Sequence, residues 1–88
     1  MAHSDAVYVI HDKLLGADVY SFMAQHDGIA QGNFQSFCNH MQRTEFSLHR
    51  IAGLEFFDQQ LVVVDITRNY VCDANPSFLV KPDENFEA

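Results

Sequence analysis

The spacing of apolar residues changes at Gly53, and that change constrains the fold more than any other feature of the chain. Before it, Phe34, Phe37, Cys38, Met41, Leu48 and Ala52 recur at intervals that gather them on one side of a helix turning 100° per residue. After it, short runs at 54–57 and 61–67 alternate and flank Asp58-Gln59-Gln60, the pattern of a β-hairpin. A helical stripe and a strand pattern in one short chain each need an apolar partner, and a sheet covered on one face by helices provides it.

The expected elements follow from local signals. Ala6-Val7-Tyr8-Val9-Ile10 is β-branched and aromatic and reads as a buried strand. Asp12 is placed to cap a first helix running to Asp27, with Leu15, Val19, Phe22, Met23 and His26 on one face, Gly16 inside it and Gly28 as its stop. Asn33 caps a second helix that reaches Ala52 and stops at Gly53. The hairpin comes next, with a further turn at Arg68-Asn69 into Tyr70-Val71-Cys72. Asn75-Pro76 breaks the chain, and Phe78-Leu79-Val80 can return as an edge strand. The predicted fold is therefore a two-layer α+β domain. An antiparallel sheet of three to four strands packs on two helices in the order β-α-α-β-β-β, over residues 1–80, with an acidic polar tail at 81–88.

Eighty-eight residues hold one core, and a 48% hydrophobic share with eight Phe and three Tyr is enough to pack it. Charge narrows the partners. Twelve acidic residues oppose five basic ones, for a net charge of -7. Nucleic acids and anionic membranes are recognised through Lys and Arg, so direct binding to either is not expected. A protein with a basic surface is the expected partner instead.

The negative charge is uneven. Residues 31–52 carry +1, while 1–30, 53–72 and 73–88 carry -3, -2 and -3. On the predicted second helix His40, Arg43 and Arg50 share the outer face with Ser36, Asn39 and Ser47, a surface suited to an acidic partner or to a second copy of the chain. The candidate contacts for a basic partner are Glu55, Asp58 and Asp65 along the hairpin, then Asp73, and in the tail Asp83, Glu84 and Glu87, with Phe86 as an aromatic anchor.

Catalytic and metal signatures are missing: there is no glycine-rich phosphate loop, nucleophile elbow, paired-histidine zinc motif or CxxC. No cofactor or metal is expected. Glu45 is the odd placement, falling in the middle of the helical apolar stripe, four residues before His49. A small enzyme would use Glu45 with His49, or Cys38 as a thiol nucleophile, but Cys38 falls on the apolar side of the predicted helix, where a buried thiol is inert, and Cys72 in a predicted strand. Residues 1–12 lack a secretory signal pattern and no apolar run is long enough to span a bilayer, so the cytoplasm is the expected compartment.

One fragment, Asp73-Ala-Asn-Pro-Ser-Phe78, resembles the strand-turn segment of PAS sensor domains. The resemblance covers six residues, and no fold, cofactor or site is carried over from it. Composition and pattern thus point to a non-enzymatic protein-binding module. Its sharpest form is a small acidic inhibitor or regulator, of the phage, plasmid or immunity kind, on a nucleic-acid-handling protein. An accessory subunit of a larger assembly is the alternative.

Overall fold

The computed structural model describes residues 3–75. It contains β1 (His3–Asp12), β2 (Ala17–Ala24), α1 (Asp27–Met41), β3 (Phe46–Phe57) and β4 (Gln60–Asp73). The strands form one antiparallel sheet in the order β2-β1-β3-β4. The α+β class stands as expected, but the described residues hold one helix where two were predicted, and their element order is β-β-α-β-β.

The first predicted helix is a hairpin. Asp12 does make the bonds of a cap: its carboxylate accepts from the N–H groups of Leu14 at 2.9 Å and Leu15 at 3.2 Å. A helix start and a tight turn share these first bonds. Gly16 separates them. Its φ of 70° lies in the left-handed region that glycine enters freely, and its N–H donates to the Asp12 carbonyl at 2.8 Å, so the chain reverses. Tyr20, Phe22 and Ala24 then alternate as a strand opposite Ile10, Tyr8 and Ala6.

The helix begins earlier and ends sooner than the sequence suggests. His26, in extended conformation, is the N-cap, and its Nδ1 accepts from the Ile29 N–H at 3.4 Å. Gly28 therefore lies in the first turn of α1 rather than after a helix, and Asn33 lies inside it. Gln42 closes α1 in the left-handed conformation, its N–H donating to the Cys38 carbonyl at 2.7 Å. The predicted continuation to Ala52 is strand β3. The apolar spacing itself breaks there, because nothing apolar lies between Met41 and Phe46. Glu45, anomalous on a helix, sits in the connection and holds Arg43 at 3.2 Å.

The second hairpin follows the expected pattern. Asp58 and Gln59 both have positive φ, 54° and 65°, the two-residue turn whose twist matches the flanking strands. The turn expected at Arg68-Asn69 is a bulge instead: Arg50 pairs with Asn69 and Ala52 with Ile66, leaving two β4 residues against one of β3. Two more irregularities, at Val64 and Val71, bend β4 along its length. Gly53, predicted as a helix stop, lies within β3. A Cβ there would strike the Arg50 guanidinium and the Asp65 carboxylate, so the ion pair of these two residues rests on bare backbone.

The core lies between α1 and one face of the sheet. Ala30, Phe34 and Cys38, each four residues apart, meet Tyr8 and Ile10 of β1 and Phe46 and Leu48 of β3. The Tyr8 hydroxyl donates to Asp27 at 2.6 Å and ties the helix start to the sheet; burial, then this bond, pushes its pKa up to about 12. The expected strand at 78–80 and the tail at 81–88 lie outside the described residues, as does the second half of the fragment that resembles a PAS segment.

Candidate functional site

The helix covers only part of the sheet, and what it leaves bare is the candidate site. The registers His3↔Phe56 and Phe57↔Gln60 carry the start of β1, the end of β3 and the start of β4 beyond α1 and β2. The result is a three-stranded arm that lengthens the molecule, whose extents including the arm are 55 × 29 × 15 Å. Phe57 is 65% exposed, Val63 54% and Ile66 80%. Single exposed apolar residues are ordinary, but so many on one arm make it the candidate contact surface.

Strand alternation gives the arm two chemically different faces. On the side that α1 occupies farther along, the register gathers Glu55, Phe57, Val62 and the Arg50–Asp65 pair, with Asp58 at the turn. On the far side it gathers Leu54, Phe56, Leu61, Val63 and Ile66. The first face combines apolar and acidic groups, whereas the second is apolar.

The far face of the body carries a polar row that sequence reading did not find. Asp18 of β2 meets His11 of β1 at 3.0 Å; the His11 and His49 rings stand edge to face at 6.0 Å; His49 and Tyr70 follow at 5.8 Å. Arg68 reaches back from edge strand β4 to Asp18 on the other edge, with both nitrogens bonded, at 2.9 and 3.0 Å. That bidentate bond and the His11 contact outweigh burial and lower the Asp18 pKa to about 2. Lys13 closes the row's end on Asp73 at 2.9 Å and holds that carboxyl below its usual range. Ser47 Oγ lies 2.9 Å from His49 Nε2, and burial lowers the His49 pKa. The sequence signal was ambiguous: Tyr20, Phe22 and Ala24 alternate at period two, but Val19, Phe22 and Met23 also fit a helical face, and only the register shift beside His11 turns Asp18 to the side opposite Tyr20.

The predicted site residues are distributed differently from their expected grouping. Glu55 and Asp58 sit on the arm without an ion pair among the described residues, whereas Asp65 is held by Arg50 and Asp73 by Lys13. Asp83, Glu84, Phe86 and Glu87 lie outside the described residues. His40, Arg43 and Arg50 fall on three different elements: the last turn of α1, the connection and β3. His40 lines an open cavity of about 470 Å³ between α1 and β2, with Tyr20, Phe22 and Phe37 on its walls. Arg43 is taken up by Asp12 at 3.1 Å and by Glu45, and its guanidinium lies 4.6 Å from the Phe46 ring centre.

Glu45 and His49 are on separate elements, and it is Ser47 that His49 meets. Cys38 is buried, and burial, then the neighbouring Cys72, pushes its thiol up to about 11; Cys72 is also raised, and both are free thiols. Among the described residues no three His, Cys, Asp or Glu side chains group to hold a metal ion. No described helix is long and apolar enough to cross a membrane. No protein-family model matches the chain, and no curated protein or solved structure matches it either.

Proposed function

We propose that the chain is a non-enzymatic protein-binding module that engages a basic surface of its partner with the acidic face of the arm. The observation that supports this most is the company Phe57 keeps. A 65% exposed aromatic at the end of β3 is flanked by Glu55 and Asp58, which have no ion pair among the described residues. An aromatic anchor beside carboxylates that steer approach suits a cationic protein surface. Asp65 and Asp73, already neutralised by Arg50 and Lys13, contribute less, so the expected contact set narrows to Glu55, Phe57, Asp58 and Val62 within the described residues. A nucleic-acid-handling protein of the same compartment, the cytoplasm, offers such a surface, and the bound arm would inhibit or regulate it.

The test is retention of the partner by the immobilised chain from native host extract as salt is raised from about 50 to about 500 mM. The proposal expects steep loss with salt and loss of capture in Phe57→Ala and in the double variant Glu55→Lys, Asp58→Lys. Retention that ignores salt and survives the double variant would instead identify an accessory subunit held by apolar contacts.

A further inference from the structure

The far face of the sheet has no second layer within the described chain, yet it carries both a trough and an apolar projection. The trough, about 680 Å³, is walled by Val7, Val9, Val19 and Ile51. The projection is the far side of the arm, where Phe56, Leu61, Val63 and Ile66 are 48 to 80% exposed. We infer that this face is the interface between two copies of the chain, each arm lying in the trough of the other.

Geometry selects a second copy as the occupant. Projection and trough lie on one face of one sheet and meet where Ile66 pairs with Ala52 and Ala52 with Val7. A two-fold axis through that meeting point reverses the second copy, so both arms find troughs at once and the contact closes on itself. Sheets pack face to face in this way, interleaving β-branched and aromatic side chains. The exposed apolar side chains of the face amount to on the order of 600 Å², near the roughly 800 Å² per partner of a standard interface.

Charge points the same way. The chain carries -7, which opposes self-association wherever carboxylates meet. On the far face, however, Asp18 is matched by Arg68 and Asp73 by Lys13. These two carboxylates are neutralised within the face, while Glu55 and Asp58 lie on the face and turn proposed to bind the basic partner. Backbone pairing through the β4 edge is the less suitable route, because three irregularities interrupt it. The two surfaces are separate, so each can fail without the other.

Sedimentation velocity of the full chain across a concentration series tests this. The expected result is a reversible dimer at about 100 µM or below. Ile66→Glu sets two carboxylates against each other at the axis and weakens association by about 100-fold or more, with an unchanged far-ultraviolet spectrum because Ile66 is 80% exposed in one copy. Val62→Glu, on the opposite face of the same strand, leaves the dimer intact. A wild-type chain that stays monomeric to about 1 mM overturns the inference, since the trough would then belong to another molecule. Dimerisation that survives Ile66→Glu, or that Val62→Glu abolishes equally, overturns it too.

Discussion

The two ends of the sheet are built from the same strands and have opposite fates. At one end Phe46 and Leu48 of β3 are 1% and 0% exposed beneath α1; ten residues along the same strand, Phe56 and Phe57 stand in solvent. The strand chemistry does not differ between them. What differs is the cover, which stops because α1 begins at Asp27, against Tyr8, and β2 pairs only as far as Ala6↔Ala24. Exposed aromatics on a strand therefore say nothing against its stability when the other end of that strand is anchored in a core. One end of the sheet serves folding, and the other is the surface proposed for recognition.

The contrast breaks most sharply under paired truncations. Phe34→Ala at the covered end removes a fully buried ring and should cost about 3–5 kcal/mol, a large share of a small domain's stability. Phe57→Ala at the bare end should stay within about 0.5 kcal/mol. Urea unfolding of both variants measures the difference, and equal losses would mean that the arm is part of the core. Gly53→Ala probes the junction between the ends. The added methyl must part the Arg50–Asp65 pair, with an expected loss of about 1–3 kcal/mol and a perturbed arm in amide spectra.

Acidification sharpens the comparison on the far face. His49 has a folded pKa below its ordinary 6.5, so the unfolded chain takes up its proton first; the His49 contribution is complete above about 6.5 and is lost as pH falls below it. Asp18, lowered from 3.8 to about 2, contributes above about 3.8 and loses that contribution as pH falls toward 2. Thermal melts between these limits should show two separate declines, and His49→Gln should remove the first alone. The smallest effect belongs to the arm's turn. Gln59→Gly relieves a left-handed conformation at φ 65° and should stabilise by about 0.5–1 kcal/mol. The same change at Ser36, inside α1, should do the reverse.

The parts of this fold that could be read from sequence were those where one local signal acted alone. β1 was legible from its β-branched run, and the β3–β4 hairpin from alternation on both sides of Asp58-Gln59. The failures occurred where two structures share a signal. Asp12 offers the same carboxylate to a helix start and to a turn, and only the backbone of Gly16 separates the outcomes. Leu48 and Ala52 extend a helical stripe as plausibly as they belong to a strand, and Glu45, which fell in the middle of that stripe, marked the junction. The acidic hairpin was in view from the start. The Asp18–His11–His49–Tyr70 row was not, because it joins four strands and exists only once their order is known.

The bond between Arg68 and Asp18 spans 50 residues of sequence and joins the two outer strands, which are not neighbours in the sheet. Its closure requires both hairpins and the pairing of β1 with β3, so it is expected among the last contacts to form. A late contact of this kind acts on the lifetime of the native state and not on the speed of reaching it. Cutting it with Arg68→Ala is expected to accelerate unfolding while leaving the refolding rate nearly unchanged, and the two arms of a chevron plot would show the asymmetry directly. The clasp across the far face is in that sense a kinetic lock on the sheet's curvature.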